Sequence, residues 1–346
     1  MADSPAEVPP HAAKWFAAQA RRDGRDAALA AWRAARGPRT VLLAGPRSFC
    51  AGVERAVEIV EQALDRFPHP VYVRKQIVHN RHVIEELAAK GAVFVDDLDA
   101  VPAGATVVFS AHGVAPAVRR EAAGRDLTVL DATCPLVTKV HSEVRRYARR
   151  NHRIFLVGHA GHEESEGTLG EASDRTTLVE SVADVAGLPP LAAGESAAYA
   201  LQTTLAVDEA ADVVAALRAR FPGIEGPGSD DICYATTNRQ ESVRAVAAES
   251  GLVLVVGSGN SSNSVRLVEV ARRAGTPALL VEDAEEIPLT ALAGIRTVGL
   301  TAGASAAPGL VDGVVAALRG LGPVDVAERR VAVETVTFAL PKELSR

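Results

Sequence analysis

Short apolar runs alternate along the chain with stretches in which apolar residues recur at helical spacing. The runs predict buried strands at 41–45, 71–73, 92–95, 106–110, 154–158, 199–201, 253–257, 278–281 and 297–300. Between them, apolar side chains share one helical face, as Val53, Val57, Val60 and Leu64 do. The segment VETVTF at 333–338 predicts a closing strand. Strands that alternate with helices favour an α/β fold with mainly parallel sheets.

Breaks in this pattern divide the chain. Residues 1–39 are rich in Ala and Arg and precede the first strand, so we predict an N-terminal extension, either a tail or a surface helix. The turn-rich FPGIEGPGSDD at 221–231 marks a further boundary. We expect three similar α/β domains, at 40–134, 135–229 and 230–346. The strand at 40–50 is expected to join the third domain, which ends in the closing strand.

The composition excludes several classes of protein. Of the 346 residues, 48% are hydrophobic and 23% charged, which is an ordinary globular balance. The net charge of −6 gives the chain no overall basic character of the kind that favours nucleic acid, and it leaves open a local basic pocket for a small anion. No apolar run approaches the ~20 residues that span a bilayer, and MADSPAEVPP lacks the pattern of a secretory signal. We therefore expect a cytoplasmic protein that binds neither nucleic acid nor membranes.

The three cysteines share one local context. Cys50, Cys134 and Cys233 each lie between the end of a strand or loop and the start of a helix, 84 and 99 residues apart. A helix N-terminus favours a thiolate. Three similar units that each donate one cysteine predict a pseudo-threefold, trefoil-like arrangement with the sulfurs at its centre. Three thiolates could bind zinc, or an iron–sulfur cluster in which one iron lacks a protein ligand. The alternative is that the cysteines are buried apolar side chains.

Polar side chains follow the predicted strands, where ligands bind in open α/β sheets. They include His79, His112, His162, Glu163, Glu164, Gln202, Thr203, Ser261, Ser262, Asn263, Thr301 and Ser305. A loop such as SGNSSNS before a helix suits a phosphate, and it matches no nucleotide motif, so a compact mono- or diphosphate is favoured. A carboxyl of HEESEGT beside a metal and a phosphate would have a raised pKa and could deliver a proton. Taken singly, these features are also typical of helix caps, structural histidines and solvated acidic loops.

Long motifs make the chain similar to a known family. They are PRSFCAGVERA, YVRKQIVHNRHV, FSAHGV, LDATCPLVTKVH, GHAGHEESEGT, QTTLAVDE, DDICYATTNRQ, GSGNSSNS and TAGAS, in family order across about residues 40–345. They resemble the LytB-type 4-hydroxy-3-methylbut-2-enyl diphosphate reductases, the iron–sulfur enzymes of the last step of the non-mevalonate isoprenoid pathway.

The resemblance implies a role for each matching residue. Cys50, Cys134 and Cys233 match the ligands of a central [4Fe–4S] cluster, which can be isolated as [3Fe–4S] and whose fourth iron binds the substrate hydroxyl. The diphosphate-binding positions are matched by His79, His112, Ser261, Ser262, Asn263 and Ser305, with His162 lining the pocket. Glu164 matches the acid of the proton relay, and Thr203 the hydroxyl beside the substrate alcohol. Family members use two electrons, usually from ferredoxin or flavodoxin, and two protons to expel water and form isopentenyl or dimethylallyl diphosphate.

The chain departs from the family pattern in a few places. Ser48 stands where the family mostly has Gly, Glu163 replaces a common Pro, Ser165 replaces Val, and TAGASAAPG carries an extra Ala. None of these changes removes a matched site residue. Three other hypotheses about the function stay open. The chain could be a cluster-dependent dehydratase or condensing enzyme resembling quinolinate synthase, a cluster-based sensor, or a zinc protein.

Overall fold

The computed structural model describes residues 8–344. Residues 1–7 of the predicted extension and residues 345–346 lie outside this range. Contacts within the chain divide it into a first unit, residues 1–49 and 238–335, and a second unit, residues 50–237 and 336–346.

The first unit contains one five-stranded sheet. Its strands are β1 (Arg39–Gly45), β9 (Leu252–Val256), β10 (Ala278–Val281), β11 (Thr297–Ala302) and β12 (Val324–Arg330). The order is β10-β9-β11-β1-β12 and every pair is parallel. Its helices are α1 (Ala13–Asp23), α2 (Arg25–Ala35), α10 (Tyr234–Ala247, in this unit from Asn238), α11 (Ser262–Arg273) and α12 (Pro308–Arg319). Strand β1 therefore lies in the same sheet as the strands of the C-terminal third.

Both faces of this sheet are buried except at the edge strand β12, whose residues are half-buried or exposed. Successive side chains of a strand point to opposite faces, so Val41 joins the apolar cluster on one face and Leu42 the cluster on the other. The first cluster includes Trp15 of α1 and Trp32 of α2, whose rings meet edge to face at 5.8 Å. The Trp15 indole donates to the Ile287 carbonyl at 2.8 Å. The helices of the N-terminal segment are thus part of the core of the first unit.

The second unit contains two sheets. The four-stranded sheet has the order β3-β2-β4-β5, from β2 (Val71–Arg74), β3 (Ala92–Val95), β4 (Thr106–Phe109) and β5 (Thr128–Asp131). The three-stranded sheet has the order β7-β6-β8, from β6 (Arg153–Val157), β7 (Thr176–Val179) and β8 (Ala197–Leu201). The helices are α3 (Ala51–Arg66), α4 (Arg81–Ala89), α5 (Pro116–Gly124), α6 (Pro135–Arg149), α7 (Glu163–Leu169), α8 (Val182–Gly187) and α9 (Val207–Arg220).

The strands of the second unit are also parallel throughout. In β6, Ile154 packs in one cluster with Val140 of α6, whereas Phe155 packs with Leu217 of α9, so helices cover both faces. Parallel sheets need this cover because their strands are joined by crossovers. The predicted α/β class with parallel sheets is confirmed, and all nine predicted strands form.

The prediction of a closing strand at 333–338 is wrong. These residues form no strand, and Val333 and Val336 are 72% and 41% exposed. Their apolar alternation resembles a half-buried strand, but no neighbouring strand pairs with them, and the last strand is β12. Conversely, Thr176–Val179, where the apolar runs predict no strand, forms the edge strand β7. Across residues 8–344, the helices fall short of the length and apolar character needed to cross a membrane.

Candidate functional site

Each cysteine directly precedes a helix, as the sequence pattern predicts. Cys50 is the N-cap of α3, Cys134 is the N-cap of α6, and Cys233 stands before the first residue of α10. Their carbonyls accept first-turn N–H groups at 2.9, 2.9 and 3.1 Å. The three side chains are therefore carried by rigid helix starts.

The three thiols lie together in the second unit, and each cysteine is half-buried. Burial raises the pKa of Cys134 to about 12 and of Cys233 to about 11, and negative charge on Cys50 adds to both shifts. Gly52 lies against two of the sulfurs, because a Cβ built there would stand 2.8 Å from Cys134 Sγ and 3.8 Å from Cys50 Sγ. Thiols that repel one another as anions in a buried place suit a cation that would neutralise them, and soft thiolates suit iron or zinc.

A buried acid and a threonine lie next to this group. Glu164 is 2% exposed in the first turn of α7. Thr203 donates to its carboxylate twice, from the backbone N–H to Oε1 at 2.6 Å and from Oγ1 to Oε2 at 2.9 Å. The carbonyl of Thr203 accepts the N–H of Cys233 at 3.1 Å. Burial raises the pKa of Glu164, although the bonds from Thr203 oppose the shift.

Three histidines form a second cluster in the same unit. The rings of His79 and His112 stack at 4.0 Å, and the ring of His162 meets them edge-on at 5.4 and 5.8 Å. Burial, together with the neighbouring histidines, lowers the pKa of His79 to about 2 and that of His162 to about 4. Nδ1 of His162 accepts the N–H of Glu164 at 3.2 Å, so a neutral His162 carries its proton on Nε2.

Glu163 places a carboxylate within this histidine cluster. Its Oε2 lies 3.2 Å from His112 Nδ1 and accepts from Ser110 Oγ at 3.3 Å. Burial alone would raise the pKa of Glu163, but these bonds, the charge of His112 and that of Lys75 lower it. Ligand atoms of His79, His112 and Glu163 lie within 4.8 Å of one another, a set that could hold a metal ion. The rings of the two histidines are only 20° from parallel, so their in-plane lone pairs do not converge on one point.

The serine and asparagine side chains that are predicted to bind a phosphate lie in the first unit. Ser261 is the N-cap of α11, and Ser262 is the first residue of that helix. Ser305 Oγ lies 3.4 Å from Ser261 Oγ, and Asn263 Oδ1 accepts the N–H of Ala304 at 2.9 Å. The loops after β9 and β11 thus bring hydroxyl, amide and backbone N–H groups together at a helix N-terminus, an arrangement that suits an anion.

Comparison with known proteins decides the family. A sequence model of the LytB protein family matches residues 41–319. The chain belongs to the LytB family. The family resemblance predicted from the motifs is confirmed.

Relatives of this LytB-family chain match along most of their length. It is 58% identical over 314 residues to the protein of Mycobacterium bovis named 4-hydroxy-3-methylbut-2-enyl diphosphate reductase 2, covering 90% of this chain and 95% of the relative. It is 57% identical over 304 residues to the 4-hydroxy-3-methylbut-2-enyl diphosphate reductase of Aromatoleum aromaticum, covering 88% and 97%.

Solved structures show the same likeness. The E-1-hydroxy-2-methyl-but-2-enyl-4-diphosphate reductase of Plasmodium falciparum is 37% identical with a TM-score of 0.85, covering 89% of this chain and 97% of that chain. A structure described as the terminal enzyme of the non-mevalonate pathway is 29% identical with a TM-score of 0.60, covering 81% and 99%.

Two departures from the usual LytB motifs have local explanations. Ser48 has a φ of 62°, the left-handed conformation that favours glycine, and its carbonyl accepts from the buried Arg239 at 2.7 Å. Arg239 in turn pairs with Glu334 at 2.8 Å. Ser165 donates to Gln202 Oε1 at 3.2 Å, a bond that the family's usual valine could not make. The turn before Cys50 and the loop of Gln202 are therefore held by specific hydrogen bonds.

One residue beside the cysteines was not indicated by the sequence reasoning. Arg55, in α3, donates to the carbonyls of Thr133 and Asp131 at 3.1 and 3.4 Å, immediately before Cys134. An arginine on a predicted helix is usually a solvated side chain. Only the folding of α3 against the β5–α6 loop distinguishes this one.

Proposed function

We propose that this chain catalyses the reductive dehydroxylation of 4-hydroxy-3-methylbut-2-enyl diphosphate to isopentenyl and dimethylallyl diphosphate. The C–O bond of the alcohol breaks, a C–H bond forms, and two electrons and two protons are consumed as water leaves. The proposal depends chiefly on one observation, the hydrogen-bonded series from Cys233 through Thr203 to the buried Glu164. This series supports Glu164 as a proton donor near the three thiols. The names of relatives at 57–58% identity support the same reaction.

Cys50, Cys134 and Cys233 are the proposed ligands of a [4Fe–4S] cluster. The residues fit such a group because three half-buried thiols lie together at helix starts and Gly52 leaves room beside two of the sulfurs. A cluster held by three thiolates supplies electrons and, at the iron without a protein ligand, a Lewis acid. A ferredoxin- or flavodoxin-type protein is the proposed source of the electrons.

Glu164 is the proposed proton donor. Because burial raises the pKa of its carboxyl, the acid can hold a proton closer to neutral pH than an exposed glutamate can. Thr203 fixes both carboxylate oxygens through its backbone N–H and its hydroxyl. The same hydroxyl is the proposed neighbour of the substrate alcohol. When Glu164 is protonated, its O–H would donate to Thr203 Oγ1, whose own proton would pass to the leaving oxygen.

The residues that bind the diphosphate are proposed within each unit separately: the histidine cluster in the second unit, and Ser261–Asn263 with Ser305 in the first. Burial disfavours charged imidazoles in the free protein. A diphosphate would reverse this preference, since a nearby anion favours the protonated form. Neutral His162 already presents an Nε2–H donor. Within the first unit, the start of α11 offers an anion backbone N–H groups and the favourable end of the helix dipole.

Anaerobic turnover tests the proposal. Protein purified without air would be supplied with reduced viologen and 4-hydroxy-3-methylbut-2-enyl diphosphate, with products identified by mass. We expect dye oxidation and both diphosphate products. Absence of turnover in a sample shown to hold a full cluster would refute the reaction. A product formed without dye oxidation would instead indicate a dehydratase.

Glu164→Gln tests the proton donor separately. The variant should keep its cluster and lose activity by a factor of about 10² or more, the usual contribution of a general acid. Glu166→Gln is the matched control, because Glu166 lies on the same helix but is exposed and pairs with Lys75. Full activity in Glu164→Gln would show that the proton comes from elsewhere.

A further inference from the structure

Arg55 joins the helix that begins at Cys50 to the loop that ends at Cys134. Its Nη1 donates to the Thr133 carbonyl at 3.1 Å and its Nη2 to the Asp131 carbonyl at 3.4 Å. Its Nε donates to the Ala339 carbonyl at 2.8 Å. One planar guanidinium therefore binds three carbonyls in two backbone segments, the 131–133 loop and the segment at Ala339, and Thr133 is the residue directly before Cys134.

The loop that Arg55 holds is already ordered from within. Thr133 donates to Asp131 Oδ1 from its backbone N–H at 3.0 Å and from its hydroxyl at 2.5 Å. Arg119 pairs with the other oxygen of Asp131 at 2.6 Å. Cys134 N–H donates to the Ala111 carbonyl at 2.9 Å. These bonds fix the conformation of the loop, and the bonds from Arg55 fix the position of the loop relative to α3.

The charge of Arg55 acts on the same cysteine. Burial lowers the pKa of Arg55, while the charges of Asp131 and Cys134 favour its protonated form. Because the guanidinium is bonded to the carbonyl directly before Cys134, its positive charge also lies close to that ligand and to the negative charge of a bound thiolate. Lysine would keep the charge, but its ammonium cannot reproduce a planar fork that spans separate carbonyls.

We propose that Arg55 is a positioning residue for the metal cluster: it holds the 131–133 loop against α3 so that Cys134 stays beside Cys50, and its positive charge offsets the negative charge of the thiolate ligands. This inference rests on the proposed function, because it needs a cluster at the three cysteines. It assigns Arg55 no contact with substrate.

Three variants of the full chain test the two parts of this inference. Arg55→Gln removes both the positive charge and the planar set of N–H donors. Arg55→Lys removes the planar set of donors and keeps the charge, and Arg66→Gln is the control. Arg66 lies further along α3 and also donates to a C-terminal carbonyl, that of Leu344 at 2.7 Å. After anaerobic reconstitution, the iron and sulfide content, the rate of iron loss to a chelator and the cluster reduction potential would be measured.

We expect Arg55→Gln to lose iron about tenfold faster than the wild type or more, as is typical when a partner of a metal ligand is removed. Its cluster should also have a more negative reduction potential, because an adjacent positive charge stabilises the reduced form. Arg55→Lys should lose iron faster while its potential stays near that of the wild type. Arg66→Gln should change neither quantity.

The outcomes separate the inference from the proposed function. A wild-type chain that takes up no cluster would refute the proposed function. A wild type that is loaded and active, with Arg55→Gln equal to it in iron loss and potential, would refute the inference alone. An unchanged potential with faster iron loss would refute the role of the charge. If Arg55→Gln does not fold, as judged by circular dichroism, iron loss from Arg55→Lys still decides the positioning role.

Discussion

Replacing Gly52 by alanine should remove the cluster without weakening the fold. Gly52 lies in the first turn of α3, and an added Cβ would stand 2.8 Å from Cys134 Sγ. Ordinary contact needs at least 3.4 Å, so one of the two atoms must move by about 0.6 Å. Metal–ligand distances tolerate only about 0.2 Å. The displaced sulfur could therefore no longer complete the ligand set.

The same substitution should slightly stabilise the metal-free chain. Gly→Ala at a position that alanine can adopt adds about 0.4–1 kcal/mol to the free energy of unfolding. In the metal-free state no bond to iron fixes the Cys134 sulfur, so a change of rotamer can relieve the contact. The two effects have opposite signs, so loss of the cluster would not reflect general unfolding.

The assay compares Gly52→Ala with Gly313→Ala. Gly313 lies within α12, and no atom lies within 4 Å of a Cβ built there. Iron and sulfide per chain after anaerobic reconstitution, the cluster absorbance and the thermal stability of the metal-free protein would be measured. Both variants should be at least as stable as the wild type, and only Gly52→Ala should lack the cluster. A full complement of iron and an unchanged spectrum in Gly52→Ala would refute the reasoning.

Three further predictions concern single side chains. Cys134→Ser should hold no intact cluster, and a normal cluster spectrum would remove Cys134 from the ligand set. Glu163→Gln removes a negative charge beside His112 that would repel a bound anion. The Kd for inorganic pyrophosphate should fall roughly tenfold, the factor given by about 1.4 kcal/mol of lost repulsion. An unchanged Kd would contradict this. Burial lowers the pKa of His162 in the folded chain to about 4, so between pH ~6.5 and pH 4 the unfolded chain binds a proton at this residue and the folded chain does not. The free energy of unfolding should therefore fall by up to about 1.4 kcal/mol for each pH unit as the pH is lowered through this range. Denaturant unfolding of His162→Asn should show a shallower pH dependence, and an equal slope would disprove the assignment.

Much of the fold could be predicted because buried parallel strands carry a strong local signal. The run at 253–257 is apolar throughout, and it forms β9 with every residue buried. Edge strands carry a weaker signal. Thr176–Val179 is only partly apolar and has a single neighbour, β6, so nothing in its own sequence separates it from a loop. The segment 333–338 shows the reverse error, since apolar alternation alone does not supply a pairing partner.

The sequence by itself determined which residue types stand at the strand ends and helix starts, and hence the kind of chemistry available. Three cysteines before helices, histidines and an acidic loop after strands, and a Ser-Asn loop could all be read along the chain because each is a local pattern. Protonation and contact were decided only by the tertiary structure. Glu164 and Thr203 are 39 residues apart in sequence, and the raised pKa of the acid follows from burial that no local pattern reports. The same holds for Arg55, whose side chain becomes part of the cysteine group only when α3 packs on the loop before Cys134, because desolvation and charge act through space rather than along the chain.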